Sequence, residues 1–203
     1  MAKERAQAPR LGDGAFDVVA CGSSAGGLNA LTELLSRLPA DFPAAVAVVQ
    51  HLDPRHRSLM ADILARRTRL RVKEAEEGEP LRAGTVYIAP PNRHLLVNPD
   101  GRLALADSEL VHFLRPSADL LFESVAASFQ DRAIGIVLSG TGKDASMGVT
   151  AIKSTGGTVI AQDPKTAEFP GMPEEAIATG NIDFVLPLAE IADALITLVM
   201  KGE

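Results

Sequence analysis

Residues 16–38 read FDVVACGSSAGGLNALTELLSRL. A short apolar, β-branched run stops at a turn of glycines and small residues. Leu28, Leu31, Leu34, Leu35 and Leu38 then recur at spacings of three and four. The run fits a strand and the leucine pattern an amphipathic helix. The same unit returns downstream. AAVAVVQH (44–51) precedes SLMADILARRT (58–68), AIGIVLSG (133–140) precedes ASMGVTAIKS (145–154), and DFVLP (183–187) precedes LAEIADALITLVM (188–200). RLRVKEA, GTVYIAP and GTVIAQ read as further strands, SADLLFESVAASF and PEEAIAT as helices. HLLVNPDGRLAL reads as a hairpin turned at Pro99-Asp100-Gly101.

Strands alternating with helices, and apolar almost throughout, predict an α/β fold. The expected architecture is doubly wound, with a mostly parallel β-sheet, helices on both faces and an antiparallel hairpin at an edge. No internal repeat or low-complexity linker divides the chain. The expected organisation is a flexible tail over residues 1–14 and one domain over 15–203.

Composition narrows the function. The net charge is -6 and no block of Lys and Arg occurs, so the footprint of a nucleic-acid binder is missing. The same acidity disfavours anionic membranes. No apolar run approaches the roughly 18 residues a spanning helix needs, and MAKERAQAPRLGDG lacks the apolar core of a secretory signal. A single cysteine, Cys21, excludes an internal disulfide and a cysteine-rich zinc cluster and fits a reducing compartment. A cytoplasmic protein without direct membrane insertion is expected.

In doubly wound sheets, ligands lie beyond the carboxyl ends of the strands. Three such ends carry reactive groups: Ser23 and Ser24, then His51, then Ser139 with Asp144. Serine, imidazole and carboxylate are the parts of a nucleophile, a base and its orienter. Gly22–Gly26 matches G-x-S-x-G, which singles out Ser24. The segment alone leaves a plain strand-to-helix turn equally open. A dinucleotide loop fits poorly, because Ser24 stands where the second glycine would be. GTGKDAS fits a phosphate loop no better, since Asp144 replaces the Mg²⁺-binding hydroxyl and would repel phosphate. Asp144 by itself reads as an N-cap of the helix after it, Cys21 as a packed thiol, and His56 and His112 as surface or satisfied core groups. No spacing of His, Cys and carboxylates indicates a metal site. The order Ser24…His51…Asp144 also differs from the Ser…Asp…His order of α/β-hydrolases.

CGSSAGG, VVQHLD, VYIAPPNRHL, RPSADLLFESVA, AIGIVLSGTGKDASMG, GGTVIAQDP and GMPEEAI occur in that order. In this the chain resembles the catalytic domain of bacterial chemotaxis protein-glutamate methylesterases, the CheB type, from about Val18 to Val199. The resemblance implies a Ser–His–Asp triad of Ser24, His51 and Asp144. It implies hydrolysis of γ-glutamyl methyl esters on chemoreceptor helices, in some members deamidation of receptor glutamine, and no cofactor. Main-chain N–H groups of Ala25 and Thr141 are the oxyanion-hole candidates, and Met172 and His94 the substrate-pocket candidates. Ala25 stands where the archetype has threonine, Thr141 where many members have methionine, and Ala145 where glycine is usual. The archetype also carries an N-terminal receiver domain, whereas residues 1–15 are all that precede the first strand here. Phosphorylation-relieved inhibition within the chain is therefore not expected, and a separate receiver or chemosensory protein is a possible partner. The alternative is a catalytically weak or silent signalling module of the same fold.

Overall fold

The computed structural model describes residues 8–51, 58–111 and 114–201, so His56 and His112 lie outside the described residues. In chain order the strands are β1 (Val18–Ser23), β2 (Ala45–Gln50), β3 (Arg71–Glu74), β4 (Thr85–Ile88), β5 (His94–Val97), β6 (Leu103–Ala106), β7 (Ala133–Val137), β8 (Thr158–Gln162) and β9 (Phe184–Leu186). The helices are α1 (Gly27–Arg37), α2 (Met60–Ala65), α3 (Ala118–Phe129), α4 (Ser146–Ser154), α5 (Gly171–Ala178) and α6 (Leu188–Ile196).

Seven strands form one parallel sheet in the order β3-β4-β2-β1-β7-β8-β9. Because side chains alternate across a strand, β1 feeds two cores. Val18 and Ala20 join the cluster under α3 and α4, while Val19 and Cys21 join the cluster under α1 and α6. All of β1 and β2 is buried, which is why both read as unbroken apolar runs. The chain leaves β1 for β2 on one side and returns to β7 on the other. The strand order therefore reverses beside β1, and in doubly wound sheets ligands bind beyond the carboxyl ends of the strands at such a point.

The hairpin β5–β6 stands as its own two-stranded antiparallel sheet. The edges of the main sheet are β3 and β9. The free side of β5 is hydrogen-bonded to α3: Val97 N donates to Ser124 Oγ at 3.0 Å, and Ser128 Oγ donates to Val97 O at 3.0 Å. Gly101 closes the turn with a left-handed φ of 77°.

The expectation of a flexible tail over residues 1–14 needs correction from Ala8 onward. Ala8 is buried and its N–H donates to Ser128 O at 2.8 Å. Leu11 N donates to Asp17 Oδ1 at 2.7 Å, and Arg10 Nη1 donates to Asp17 Oδ2 at 3.3 Å. Asp17 is fully buried and also pairs with Arg132. Arg132 Nη2 in turn donates to Ala8 O at 2.5 Å. A polar, periodless segment is thus fixed by one buried carboxylate, a signal that hydropathy does not carry.

Breaking a buried ion pair from one side costs about 3 kcal/mol or more, because the other charge stays behind unpaired. Asp17→Ala is therefore expected to lower the urea midpoint by that equivalent with an unchanged m-value, measured by circular dichroism.

Candidate active site

The register of the parallel strands sets the site. Ser23 lies opposite Gln50 in the β1–β2 pair, and Gly22 lies opposite Val137 in the β1–β7 pair. The residues that follow, Ser24 and His51, are therefore neighbours across adjacent strand ends. His51 N donates to Ser23 O at 3.2 Å, and Ser24 N donates to Ser139 O at 3.0 Å. The turn after β1 passes through Gly26 at φ 74°, and α1 starts at Gly27. A side chain at Gly26 would meet Ser139 Oγ at 2.7 Å, so the turn requires glycine for space as well as for conformation.

The two serines divide. Ser23 is fully buried, and its hydroxyl donates to Gln50 Oε1 at 2.7 Å. Ser24 is only partly buried, and its side chain faces the next loop closely enough that a Cβ on Gly140 would lie 2.9 Å from its own. Met172 is buried with its sulfur against Gly140, and its N–H donates to Gly140 O at 2.9 Å. Thr141 follows at once and is exposed. The N–H groups of Ala25 and Thr141 have no acceptor among the described residues.

His51 Nε2 lies 2.8 Å from Asp144 Oδ2. Asp144 is buried, and it accepts from Ser117 Oγ at 2.8 Å, Ala118 N at 2.6 Å and Asp119 N at 3.1 Å. The carboxylate therefore sits on the N-terminus of α3, where free N–H groups and the helix dipole favour an anion. Burial alone would push this carboxyl up. The hydrogen bonds from His51, Ala118 and Asp119 outweigh it and hold the group below the usual carboxylate range. An ionised carboxylate only accepts, so Nε2–H donates to it, and in the neutral imidazole Nδ1 is then the nitrogen with the lone pair. This reverses the ring nitrogens of the serine-protease template, in which the carboxylate takes Nδ1–H. No hydrogen bond joins Ser24 Oγ to the imidazole among the described residues.

Two sequence expectations change here. Asp144 does not cap the helix that follows it. The N-cap of α4 is Ala145, which makes no side-chain capping bond and takes φ 88°. A left-handed alanine costs on the order of 1 kcal/mol, and the loop accepts it to aim Asp144 at a helix far along the chain. His94 does not line a pocket. It is fully buried, its Nδ1 accepts from Ser117 N at 3.1 Å, and its Nε2 donates to Glu109 O at 3.0 Å. With both nitrogens engaged, it fixes Ser117 and through Ser117 the carboxylate. Sequence reasoning also passed over Ser117 and Gln50. Ser117 could have been found as the N-cap preceding an apolar helix pattern, but nothing local marked its bond to Asp144.

Cys21 is buried without a charge nearby, and burial pushes its thiol up to about 12. Among the described residues no group of His, Cys, Asp and Glu is placed to hold a metal ion, and no helix is long and apolar enough to cross a membrane.

A family model described as CheB methylesterase matches residues 19–195. A relative from Leptospira interrogans, named putative protein-glutamate methylesterase/protein-glutamine glutaminase, is 40% identical over 90% of this chain and 95% of its own length. The Symbiobacterium thermophilum protein-glutamate methylesterase/protein-glutamine glutaminase is 40% identical over 91% of this chain and 51% of its own length. Protein-glutamate methylesterase FrzG from Myxococcus xanthus is 42% identical over 89% of this chain and 54% of its own. The chain thus spans about half the length of the latter two. The crystal structure of the Thermotoga maritima CheB methylesterase catalytic domain superposes with a TM-score of 0.87 at 38% identity, covering 91% of this chain and 99% of that one.

Two measurements follow from the ionisations. The folded carboxyl of Asp144 is held down, so the stability it confers is complete above its unfolded value of about 3.9. That stability is lost as pH falls through the lower folded value. The unfolding free energy of wild type minus that of Asp144→Asn is therefore expected to shrink as pH falls through the acid range. Cys21, protonated at pH 8, is expected to resist iodoacetamide in the native protein and to react in urea, read by mass spectrometry.

Proposed function

We infer the function from one premise: the chain belongs to the CheB methylesterase family. It is accordingly a hydrolase of the protein-glutamate methylesterase class. We propose that it acts on γ-glutamyl methyl esters of chemoreceptor helices through Ser24, His51 and Asp144, and that it also deamidates receptor glutamine. The observation that carries this reading is the buried His51–Asp144 pair, one strand over from a serine raised on a glycine turn.

The geometry supports the following chemistry. Ser24 Oγ attacks the ester carbonyl as its proton passes to His51 Nδ1, the ring nitrogen nearer the main chain and the one free of Asp144. Asp144, ionised through the neutral range, stabilises the imidazolium that forms. The negative charge on the tetrahedral oxygen is received by Ala25 N–H and Thr141 N–H, two donors with no other acceptor among the described residues. The protonated His51 returns its proton to the departing methoxide, and methanol leaves. A water activated by the same imidazole then attacks the acyl-serine ester, releasing glutamate and restoring Ser24. With a glutamine side chain the leaving group is ammonia. The chain itself supplies every group these steps use, so no cofactor enters the mechanism.

Among the described residues the resting site has no Ser24–His51 hydrogen bond, and this is the observation that favours the silent-module reading. Catalytic hydrogen bonds often tighten only with substrate bound, so this geometry does not disfavour the enzyme. The experiment measures methanol released from methylated receptor fragments. Wild type is expected to turn over, and Ser24→Ala and His51→Ala to fall by about three orders of magnitude or more. A fluorophosphonate probe is expected to label wild type stoichiometrically and Ser24→Ala not at all. A wild-type protein that neither labels nor releases methanol is a signalling module without catalysis. Turnover by Ser24→Ala at the wild-type rate removes Ser24 from the mechanism.

A further inference from the structure

Gln50 lies directly before His51 and is nearly fully buried. Its carboxamide is completely engaged. Oε1 accepts from Ser23 Oγ at 2.7 Å, and Nε2 donates to Ser24 O at 2.6 Å and to His51 O at 3.1 Å. Two carbonyl acceptors on one side and a hydroxyl on the other fix which end of the amide faces which partner. The approach is so close that a Cβ on Gly27 would collide with Oε1, which explains the glycine at the first position of α1.

The carbonyl of Ser24 and the N–H of Ala25 belong to the same peptide group. That group is planar and trans, so the two bonds point in opposite directions and cannot turn independently. Whatever holds Ser24 C=O therefore aims Ala25 N–H. Two donors hold it, Gly27 N at 2.9 Å and Gln50 Nε2 at 2.6 Å. The same arrangement recurs on the other side. Gly140 C=O and Thr141 N–H share a peptide, and Met172 N donates to that carbonyl at 2.9 Å. Each candidate oxyanion donor is thus pinned from behind through its own carbonyl. Among the described residues, Gln50 is the side chain that does this.

We propose that Gln50 is a positioning residue for catalysis: its amide locks the Ser24–Ala25 peptide so that Ala25 N–H points at the developing oxyanion, and it ties that donor to the main chain of His51. The inference rests on the esterase reading above. It differs from a purely structural role in what it predicts. A donor aimed at the tetrahedral oxygen matters most in the transition state, where the charge develops. A residue that only braced the fold would act on stability and leave kcat of the surviving folded protein alone.

The test uses the full chain and a methylated receptor fragment. Removing an oxyanion donor outright costs about 10²–10³ in rate. Gln50→Met leaves the donor in place but held by Gly27 N alone, so the expected loss in kcat is about 10- to 100-fold, with KM within about twofold. Phenylboronic acid, which forms a tetrahedral adduct with an activated serine, should inhibit Gln50→Met more weakly by about the same factor. Unchanged kcat and unchanged boronate inhibition overturn the proposal, as does a rise in KM with kcat intact. If Gln50→Met does not fold, Gln50→Glu keeps the shape and sets a carboxylate against two carbonyls. A comparable loss of kcat in a protein with wild-type circular dichroism supports the proposal, and wild-type kcat overturns it. Failure of the underlying reading is distinguishable, because wild type itself would then neither release methanol nor take up a fluorophosphonate.

Discussion

One buried carboxylate at the start of a helix organises this molecule. Asp144 accepts two main-chain N–H groups of α3, the hydroxyl of Ser117 and the imidazole of His51. A carboxylate buried with fewer partners would neutralise itself or unfold its surroundings. With these four it remains charged and becomes a joint between distant parts of the chain. It ties the loop after β7 to α3 and to the end of β2. Through Ser117 and His94 it also reaches the hairpin. The left-handed Ala145 is a consequence of that joint, since α4 must leave in one direction while Asp144 faces another.

The parallel sheet performs the rest of the assembly. Residues in register on adjacent parallel strands emerge side by side at the same edge. Ser24 and His51 follow the paired residues Ser23 and Gln50, and Ser139 lies across the β1–β7 pair, accepting from Ser24 N. The main chains of Ser24 and His51 are therefore kept at neighbouring strand ends without any bond between their side chains. Backbone bonds hold both residues at the same edge of the sheet.

How far the sequence revealed this depends on the kind of force involved. Hydropathy patterns report burial, and burial made β1, β2 and β7 visible as unbroken apolar runs and α1 as a leucine stripe. Strand ends then brought Ser23, Ser24, His51, Ser139 and Asp144 forward together, and the family resemblance chose Ser24, His51 and Asp144 among them. Patterns do not report which distant partner a polar group meets. The helix that receives Asp144 begins 26 residues before it, at Ala118, and the expected partner was the helix directly after it. His94 looked like a pocket residue because a histidine near a site is ordinarily read that way, yet its two ring bonds lie inside the protein. Residues 8–14 looked loose because nothing in them is periodic, and what fixes them is Asp17 and Arg132. Gln50 was hidden for the same reason, its role being set by hydrogen bonds to backbone carbonyls.

The departures from the archetype make sense in these terms. Ala25 and Thr141 supply main-chain N–H groups, and the direction of each is set by the carbonyl behind it, not by the side chain beside it. Threonine or alanine at one position, and methionine or threonine at the other, then leave the direction of the proposed oxyanion donors to the same backbone bonds. Ala145 is different, because its backbone conformation is what the loop requires and a Cβ opposes it. The burial of that methyl recovers part of the strain, since each buried CH₂-sized group contributes about 0.8 kcal/mol, and Ala145 is fully enclosed. A conformational cost of similar size is thereby largely offset at the same residue. The carboxylate keeps its place on α3 without the glycine.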